Sequence, residues 1–275
     1  MKKILVILIL MFGFQALASA GTLNLSNGIT VDASFNANGV TRNNSPARGG
    51  YFNQTTNNSN IITSEAICSA INNCVNFNGS NYSTGTVKNG LVRYFYNTTQ
   101  TQFALQVRAL DVGWQYQSFG VWANSVNGSG TASAGSFGTV ITPGTSIPKS
   151  GSATYTGLLA GILAQGSSNK LFVAADMTAG VNFASRSINF ASTNSIASSS
   201  LNGIYSSAPG LNMSGTLTYL GNTNGFSGTV RTSGLTVLTG TAGGQFYGPA
   251  AQEIGGVFAL RNGNIGFIGG FGGKK

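Results

Sequence analysis

The chain has 275 residues, of which only 7% are charged, and its formal net charge is +9 at pH 7. It contains 40 glycines and no histidine, so the commonest general base and the commonest side-chain metal ligand are both missing. Abundant glycine with serine, threonine and asparagine is typical of short strands and tight turns rather than helices. The basic residues are scattered singly along the chain, and so no nucleic-acid partner is predicted.

Residues 1–20 have the parts of a secretory signal peptide. Lys2 and Lys3 give a positive start, residues 4–14 form an apolar run, and residues 18–20 read Ala-Ser-Ala, a small-residue cleavage pattern. The apolar run is too short to cross a membrane as a helix. We therefore expect cleavage between Ala20 and Gly21 and a secreted protein, with association at the cell surface as an alternative. No cysteine follows the cleavage point, so a lipid anchor is not expected there.

The stretch after the signal peptide is asparagine-rich and weakly patterned up to residue 60, which indicates long loops. Residues 64–70 are predicted to form one helical turn capped by Ser64. Cys68 and Cys74 are the only cysteines, and five residues separate them. In an oxidising compartment this spacing predicts a single local disulfide.

Three strands are predicted next, at residues 91–96, 103–107 and 116–123, and aromatic side chains concentrate on and beside them. They form a candidate surface for a planar anionic ligand or for a protein interface. The alternative is that they fill the core of the domain. The candidate binding residues are Arg93, Tyr94, Tyr96, Arg108, Trp114, Tyr116, Phe119 and Trp122.

Residues 143–148 include two prolines and are predicted to be a linker or a strand-entry turn, because proline donates no hydrogen bond to a sheet. Strands follow at regular intervals, and alternation of apolar and polar residues at 226–231 indicates one buried and one solvated face. This pattern favours an antiparallel meander that closes into a barrel, with a β-sandwich as the alternative. The predicted strands are 153–164, 171–177, 181–190, 211–220, 226–231, 235–239, 257–260 and 265–268.

The most distinctive segment is 243–260, predicted to be a turn, a short exposed stretch and a strand entered through Gly255 and Gly256. Two adjacent residues without a Cβ allow either a sharp bend or the close approach of another element. Glu253, one of only five acidic residues, is predicted to lie at this bend, and residues 245–247 are predicted to lie in a loop.

This segment resembles the barrel signature of the transferrin-binding protein B family. Residues 148–161, with their Ala-Thr-Tyr-Thr-Gly core, are similar to the opening barrel strand of that family, and 225–230 (Gly-Phe-Ser-Gly-Thr-Val) to a late one. Phe-Gly-Val-Trp at 119–122, followed by Thr-Pro-Gly at 142–144, resembles the segment that leads into the barrel.

The resemblance implies an all-β protein: an N-terminal β-rich handle domain at 21–148, followed by a C-terminal eight-stranded antiparallel β-barrel at 149–275. The family includes bacterial surface lipoproteins and secreted hemophores that are exported with the help of a surface-lipoprotein assembly modulator. An outer-membrane receptor is the partner it implies. A membrane-embedded barrel is disfavoured because the chain ends with Lys274 and Lys275 rather than with an aromatic insertion signal.

No enzymatic activity is expected, because the five acidic residues are far apart in sequence and no nucleophile or phosphate-binding motif is present. The predicted function is hemophore-like binding of heme or another small nutrient for iron acquisition. The alternatives are a module that binds a host or partner protein without heme, and a structural or adhesive protein. No metal site or required cofactor is predicted. With no histidine, the iron of a bound heme would need a tyrosine, Met177 or Met213. Side chains are expected to fill the barrel, which leaves the handle domain or its seam with the barrel for ligand contact.

Overall fold

The computed structural model describes the backbone of residues 19–25, 29–34, 50–56, 62–69, 74–78, 82–99, 101–126, 129–138, 140–165 and 169–275. Side chains are described for residues 82–99, 101–123, 132–138, 140–165 and 169–275. The regular structure in these ranges consists of β-strands and three short 3₁₀ turns.

The strands fall into two sets, before and after the linker. The first set is β1 (Ser19–Leu25), β2 (Ile29–Ser34), β3 (Gly50–Thr56), β4 (Ile62–Ser69), β5 (Cys74–Asn78), β6 (Tyr82–Val87), β7 (Val92–Asn97), β8 (Gln102–Val107), β9 (Gln117–Val126) and β10 (Ser129–Gly138). The second set is β11 (Ser152–Gln165), β12 (Asn169–Asn182), β13 (Ser187–Ser198), β14 (Ser206–Ser207), β15 (Met213–Tyr219), β16 (Phe226–Thr232), β17 (Thr239–Tyr247), β18 (Glu253–Asn262) and β19 (Ile265–Lys274).

The first set forms a seven-stranded sheet, in the order β1-β2-β10-β9-β8-β7-β6, and a three-stranded sheet, β3-β4-β5. All neighbours in the seven-stranded sheet are antiparallel except β2 and β10, which run parallel. The three strands predicted from the aromatic region are confirmed as β7, β8 and β9.

The predicted helical turn at 64–70 is wrong, because residues 62–69 form β4. This strand contains β-branched isoleucine and threonine residues, which favour extended backbone. Two partner strands, β3 and β5, supply its hydrogen bonds from both sides. Strands β1, β2 and β3 also lie within the stretch that was predicted to be loops, the first beginning at Ser19 inside the predicted signal peptide.

The second set closes into an eight-stranded antiparallel barrel. Its strands follow the order β12-β11-β19-β18-β17-β16-β15-β13, and β12 pairs with β13 to close the circle. The predicted fold class is therefore confirmed. Two predicted strands are misplaced: residues 183–186 form a turn between β12 and β13, and only residue 239 of 235–239 lies in β17. The domain boundary at 148–149 stays a prediction.

Side chains fill the barrel interior, as predicted. The rings of Phe190, Phe226, Phe246, Phe258 and Phe271 are all buried in one apolar cluster with the inward side chains of every barrel strand. Glycines make room for these rings inside a narrow barrel. The described interior of the barrel is thus occupied by packed side chains.

The outer face of the barrel is also buried where the seven-stranded sheet covers it. The eight residues from Glu253 to Leu260 are all buried, on both faces of β18. Alternate residues enter two different apolar clusters: Phe258 points into the barrel, whereas Val257 and Ala259 pack against the sheet. Continuous apolar runs are typical of strands covered on both sides. We call this interface between sheet and barrel the seam.

The segment 243–260 differs from its predicted structure. Residues 245–247 belong to β17 instead of a loop, and Glu253 is buried at the start of β18 instead of exposed. Gly255 and Gly256 lie within the strand and allow close approach on both faces. A Cβ on Gly255 would lie 2.6 Å from the Gln117 side chain of the sheet, and one on Gly256 would lie 2.6 Å from the ring of Phe271 inside the barrel.

Candidate functional site

A buried carboxylate joins the seven-stranded sheet to the barrel at one end of the seam. The side chain of Glu253 accepts hydrogen bonds from the backbone N–H groups of Gln115, Tyr116 and Gln117, at 2.7, 3.0 and 3.0 Å. The Tyr247 hydroxyl shares a 2.8 Å hydrogen bond with the Ser136 hydroxyl beside it. Burial raises the pKa of Tyr247 to about 12, while the hydrogen bond with Ser136 lowers it. These contacts hold the entry to β9 and the end of β10 against the barrel.

A second polar contact lies where the turn between β6 and β7 meets the barrel. Lys88 forms a 3.1 Å ion pair with Asp176 of β12 and donates a 3.0 Å hydrogen bond to the backbone carbonyl of Asn194 in β13. The Asn194 amide donates to the other oxygen of Asp176 at 2.8 Å. The strands that carry the predicted aromatic residues are thus attached to the barrel at two points.

The predicted aromatic cluster is divided between the two faces of the seven-stranded sheet. Trp114 and Phe119 are buried in the seam, with ring centroids 6.2 Å apart. Trp122 is buried on the opposite face of the sheet, with Phe137 and Phe95. Phe119 and Trp122 are three residues apart on one strand, so alternation places them on opposite faces. These rings are core residues in the structure and leave no flat aromatic surface exposed.

Trp114 and Tyr116 both precede β9, in the segment that enters the seven-stranded sheet. Tyr116 is half-buried, and a Cβ on Gly248 would lie 2.7 Å from its ring. Its backbone is fixed by Glu253, and so Tyr116 remains at the edge of the seam.

The two predicted arginines share one carboxylate. Arg108 binds Asp111 through both its Nε and its Nη2, at 2.6 and 2.7 Å, and Arg93 donates to the same carboxylate at 3.0 Å. A bidentate arginine–carboxylate pair is a strong, geometrically defined contact. Both cations are therefore engaged within the protein rather than presented to a ligand.

Tyr94 and Tyr96 are the predicted residues that the structure places best for contact with a ligand or partner. Both are half-buried on the barrel-facing side of β7, with ring centroids 6.2 Å apart and planes inclined by 23°. Tyr205, in the loop after β13, packs against the same cluster. Burial is the main cause that raises the pKa of the Tyr205 hydroxyl, and the nearby Tyr94 adds to it. Tyr94, Tyr96 and Tyr205 thus pack against the same cluster at the edge of the seam, and we call them the tyrosine group.

A small cleft of about 100 Å³ opens next to this tyrosine group. Phe103 and Phe172 meet edge to face across the seam, with centroids 5.2 Å apart, and the Lys170 ammonium lies 5.2 Å from the centroid of the Phe103 ring. We call this cleft the seam cleft. It is lined by Tyr96, Phe103, Lys170, Phe172, Ser199, Ser200, Leu201 and Asn202.

The loop that forms one wall of the seam cleft also exposes an apolar side chain. Ile204 directly precedes Tyr205 and is 90% exposed. Tyrosine side chains are enriched among the residues that contribute most to binding at protein interfaces. The loop, Tyr96 and Lys170 together form an apolar surface with one cation.

Sequence reasoning missed Lys170, Phe172 and the loop that carries Ile204 and Tyr205. One signal was present: residues 171–175 form a continuous apolar run, which indicates a strand buried on both faces and hence an element packed outside the barrel. Nothing in the local sequence indicates which strand of the first domain covers it.

Other kinds of site receive no support in the part of the chain with described side chains. No three acidic or cysteine residues lie close enough there to hold a metal ion. The candidate iron ligands Met177 and Met213 are both buried in the barrel core and cannot reach a heme outside it. Among the described residues, no helix has the length and apolar character needed to cross a membrane.

Residues 147–275 match the family model described as the C-lobe and N-lobe beta barrels of Tf-binding protein B. No protein with a curated description matches the chain.

Several solved structures of transferrin-binding protein B are similar to the chain. A point mutant of the protein from Haemophilus parasuis is 14% identical, with 77% of this chain and 50% of that one covered and a TM-score of 0.45. Intact Ap-TbpB, with N and C lobes, is 18% identical, with 84% and 47% covered and a TM-score of 0.45. The protein from serogroup B Neisseria meningitidis is 19% identical, with 73% and 38% covered and a TM-score of 0.43.

The chain thus spans half or less of the length of each of these three proteins. The family match begins at residue 147, beside the linker, and extends through the last barrel strand. Residues 147–275 form a β-barrel that matches the model of the transferrin-binding protein B barrels.

Proposed function

We propose that the protein is a binding protein of the cell surface or the extracellular space that takes part in iron acquisition by holding a host iron-carrier protein at the seam cleft. The observation that carries the proposal is the accessible surface formed by Tyr94 and Tyr96 on β7, beside the seam cleft and a barrel that matches this family. The seam contacts hold that surface on rigid strands, which reduces the entropy lost on binding.

The carboxylates support binding rather than catalysis. Asp111 is paired with two arginines, Asp176 with a lysine and an asparagine, and Glu253 with three backbone N–H groups. A general acid or base must be free to reach a substrate proton. All the acidic side chains that the structure describes are held by such partners, so none of these three carboxylates is free to act as a general acid or base.

The size of the clefts favours a protein partner over an enclosed heme. Pockets for drug-sized ligands typically measure about 300–1,000 Å³. The seam cleft measures about 100 Å³ and a second cleft, at one end of the barrel, about 200 Å³. Neither encloses a porphyrin, whereas a protein partner needs only surface anchors. Heme remains the competing hypothesis, with Tyr94 or Tyr96 as its iron ligand.

Export from the cytoplasm is part of the same proposal. A signal peptide cleaved between Ala20 and Gly21 would bring the chain to the compartment where host iron carriers are found. An outer-membrane receptor and a surface-lipoprotein assembly modulator are the bacterial partners that the family resemblance implies.

The test is the affinity of the purified mature protein for purified host transferrins, with and without iron, measured by biolayer interferometry. Ile204→Asp and Tyr96→Ala should each weaken binding about tenfold or more, as expected for anchor residues. The matched control is Leu220→Asp. Like Ile204, Leu220 is an exposed aliphatic residue, at 72% exposure. It follows β15 and lies outside the seam cleft.

If the control and the seam variants bind equally well, the seam cleft is not the binding surface. If the wild type binds none of the iron carriers, the proposed function is wrong. A parallel titration with hemin distinguishes the competing hypothesis. A saturable one-to-one Soret shift that is lost in Tyr94→Phe or Tyr96→Phe would assign the tyrosine pair to heme instead.

A further inference from the structure

A second cleft lies between the linker and two turns at one end of the barrel, away from the seam cleft. It measures about 200 Å³ and is formed by the turn after β12, the turn after β15 and the segment that leads into β11. We call it the end cleft. Phe183 and Ile147, both nearly buried, provide its apolar walls.

Three hydrogen-bond donors line the end cleft. Lys149 and Arg186 are exposed cations at its mouth. Tyr219 lies deeper, because only 7% of its surface is exposed and its ring packs edge to face on the core residue Phe246 at 5.5 Å. The Tyr219 hydroxyl is buried and has no hydrogen-bond partner. A buried hydroxyl without a partner is rare in folded proteins, and this one is a donor available to a bound ligand.

No acidic group neutralises these donors in the described part of the chain. The ion pairs there are Lys88–Asp176, Arg93–Asp111 and Arg108–Asp111, and none includes Lys149 or Arg186. The third described carboxylate, that of Glu253, accepts three backbone hydrogen bonds inside the seam. The end cleft therefore has a positive potential and offers donors without a matching acceptor.

Arg186 is held in place by an unusual backbone. Its φ is 57°, in the left-handed region that residues with a side chain rarely adopt, and glycine or asparagine is the ordinary choice at such a turn position. The backbone of Gly221 lies against the guanidinium, since a Cβ there would be 3.2 Å from Cζ of Arg186. The turn thus presents a cation where a small residue would fold with less strain, a pattern common at binding sites.

We infer that the end cleft binds a small molecule through an oxyanion group, a carboxylate or phosphate, with Arg186 and Lys149 as its charge partners and the Tyr219 hydroxyl as a donor. The apolar walls at Phe183 and Ile147 suit a compact hydrocarbon body next to that group. A 200 Å³ space fits a ligand of only a few heavy atoms beyond the anion. This site is independent of the partner-binding surface at the seam.

Isothermal titration calorimetry of the mature protein at low ionic strength tests the inference, with benzoate and inorganic phosphate as separate probes. Saturable binding of benzoate alone assigns a carboxylate ligand with an apolar body, and binding of phosphate assigns the phosphate group. The affinity should fall as sodium chloride is added, because exposed cations are screened. Benzamidine, of similar shape but positive charge, should not bind.

Arg186→Gly is the decisive variant, because it removes the cation and also relieves the left-handed backbone. It should retain the wild-type melting temperature or exceed it, yet bind the probe about tenfold more weakly or worse. Tyr219→Phe, which leaves the ring in place, should weaken binding about threefold. Lys149→Gln provides a second charge-removing variant at an exposed position.

Arg231→Gln is the matched control, because Arg231 is an exposed barrel arginine outside the end cleft. It should bind the probes as the wild type does. The inference is overturned if neither anion binds saturably to the wild type, or if Arg186→Gly and Lys149→Gln both bind as tightly as Arg231→Gln.

Discussion

The Glu253 carboxylate accepts a 2.7 Å hydrogen bond from the backbone N–H of Gln115, which lies 138 residues earlier in the chain. Two further N–H groups, of Tyr116 and Gln117, donate to the same carboxylate. This side chain therefore satisfies three consecutive backbone donors at the entry to β9. It ties the sheet that carries the candidate binding tyrosines to the barrel.

Replacing Glu253 should loosen the seam. Glu253→Ala leaves three backbone N–H groups without their acceptor, and hydrogen bonds to charged groups contribute about 1.5–3 kcal/mol each before relaxation. We expect a loss of about 3 kcal/mol in the free energy of unfolding, measured by urea denaturation. Glu253→Gln keeps one acceptor oxygen and should lose less. Equal stability of Glu253→Ala and the wild type would show that the carboxylate does not stabilise the seam.

Gly269 in β19 should tolerate substitution poorly, because a side chain there would clash with its neighbours. A Cβ on Gly269 would meet the backbone oxygen of Ala160 in β11 and would lie 2.5 Å from Cζ of Phe258 in the barrel core, so Gly269→Ala should destabilise the protein by about 1–3 kcal/mol through overpacking. Gly180, in β12, is the matched control, because a Cβ there meets nothing within 4 Å. Gly180→Ala should be neutral or slightly stabilising in thermal denaturation. A similar loss in both variants would contradict the steric explanation.

Most barrel strands were predictable from local patterns, which left a β-sandwich as the alternative, and the eight-stranded barrel was implied by the family resemblance. Alternation at 226–231 gave the correct strand and its buried face, because β16 is open to solvent on the outside. Residues 245–247 were misassigned because glycine is depleted in most strands. In this small barrel, glycines leave room for large rings on neighbouring strands. Strand propensities are assigned residue by residue and do not include such packing.

The candidate site was only partly predictable. Alternation shows from sequence alone that Tyr94 and Tyr96 share a face and that Phe119 and Trp122 do not. It does not show which face meets the barrel, since that depends on packing between strands far apart in sequence. The hydrogen-bond partners of Glu253 were not predictable for the same reason, since they lie more than 130 residues earlier in the chain. Locally, an acidic residue near glycines and a proline resembles an exposed turn.

The disulfide between Cys68 and Cys74 stays a prediction. The strand pairing makes it a cross-strand disulfide between β4 and β5. The two residues are directly opposite each other in the β4–β5 pair. Opposed Cα atoms in antiparallel strands lie about 4.5–5.5 Å apart, within the range that a disulfide spans. Intact mass of the exported protein should be two hydrogens below the dithiol mass. Cys68→Ser with Cys74→Ser should lower stability by about 2–3 kcal/mol, and labelling of two thiols in the unreduced wild type would disprove the bond.

Alkaline pH should destabilise the protein through its buried tyrosines. Burial raises the pKa of Tyr247 to about 12, against about 10 in an unfolded chain. Burial also raises the pKa of Tyr155, with a further contribution from Tyr219. Because the folded state holds these protons more tightly, their contribution is complete below pH about 10 and is lost as the pH rises towards 12.

For Tyr247 alone, the free energy of unfolding should fall by about 3 kcal/mol between pH about 10 and pH about 12. Urea denaturation at closely spaced pH values should show the decline, and Tyr247→Phe should reduce its slope. The variant should also lose about 1 kcal/mol at neutral pH, because Ser136 loses its 2.8 Å partner. Tyrosinate absorbance measured in parallel should rise for the buried tyrosines only as the protein unfolds. The same slope in variant and wild type would show that Tyr247 ionises without opening the seam.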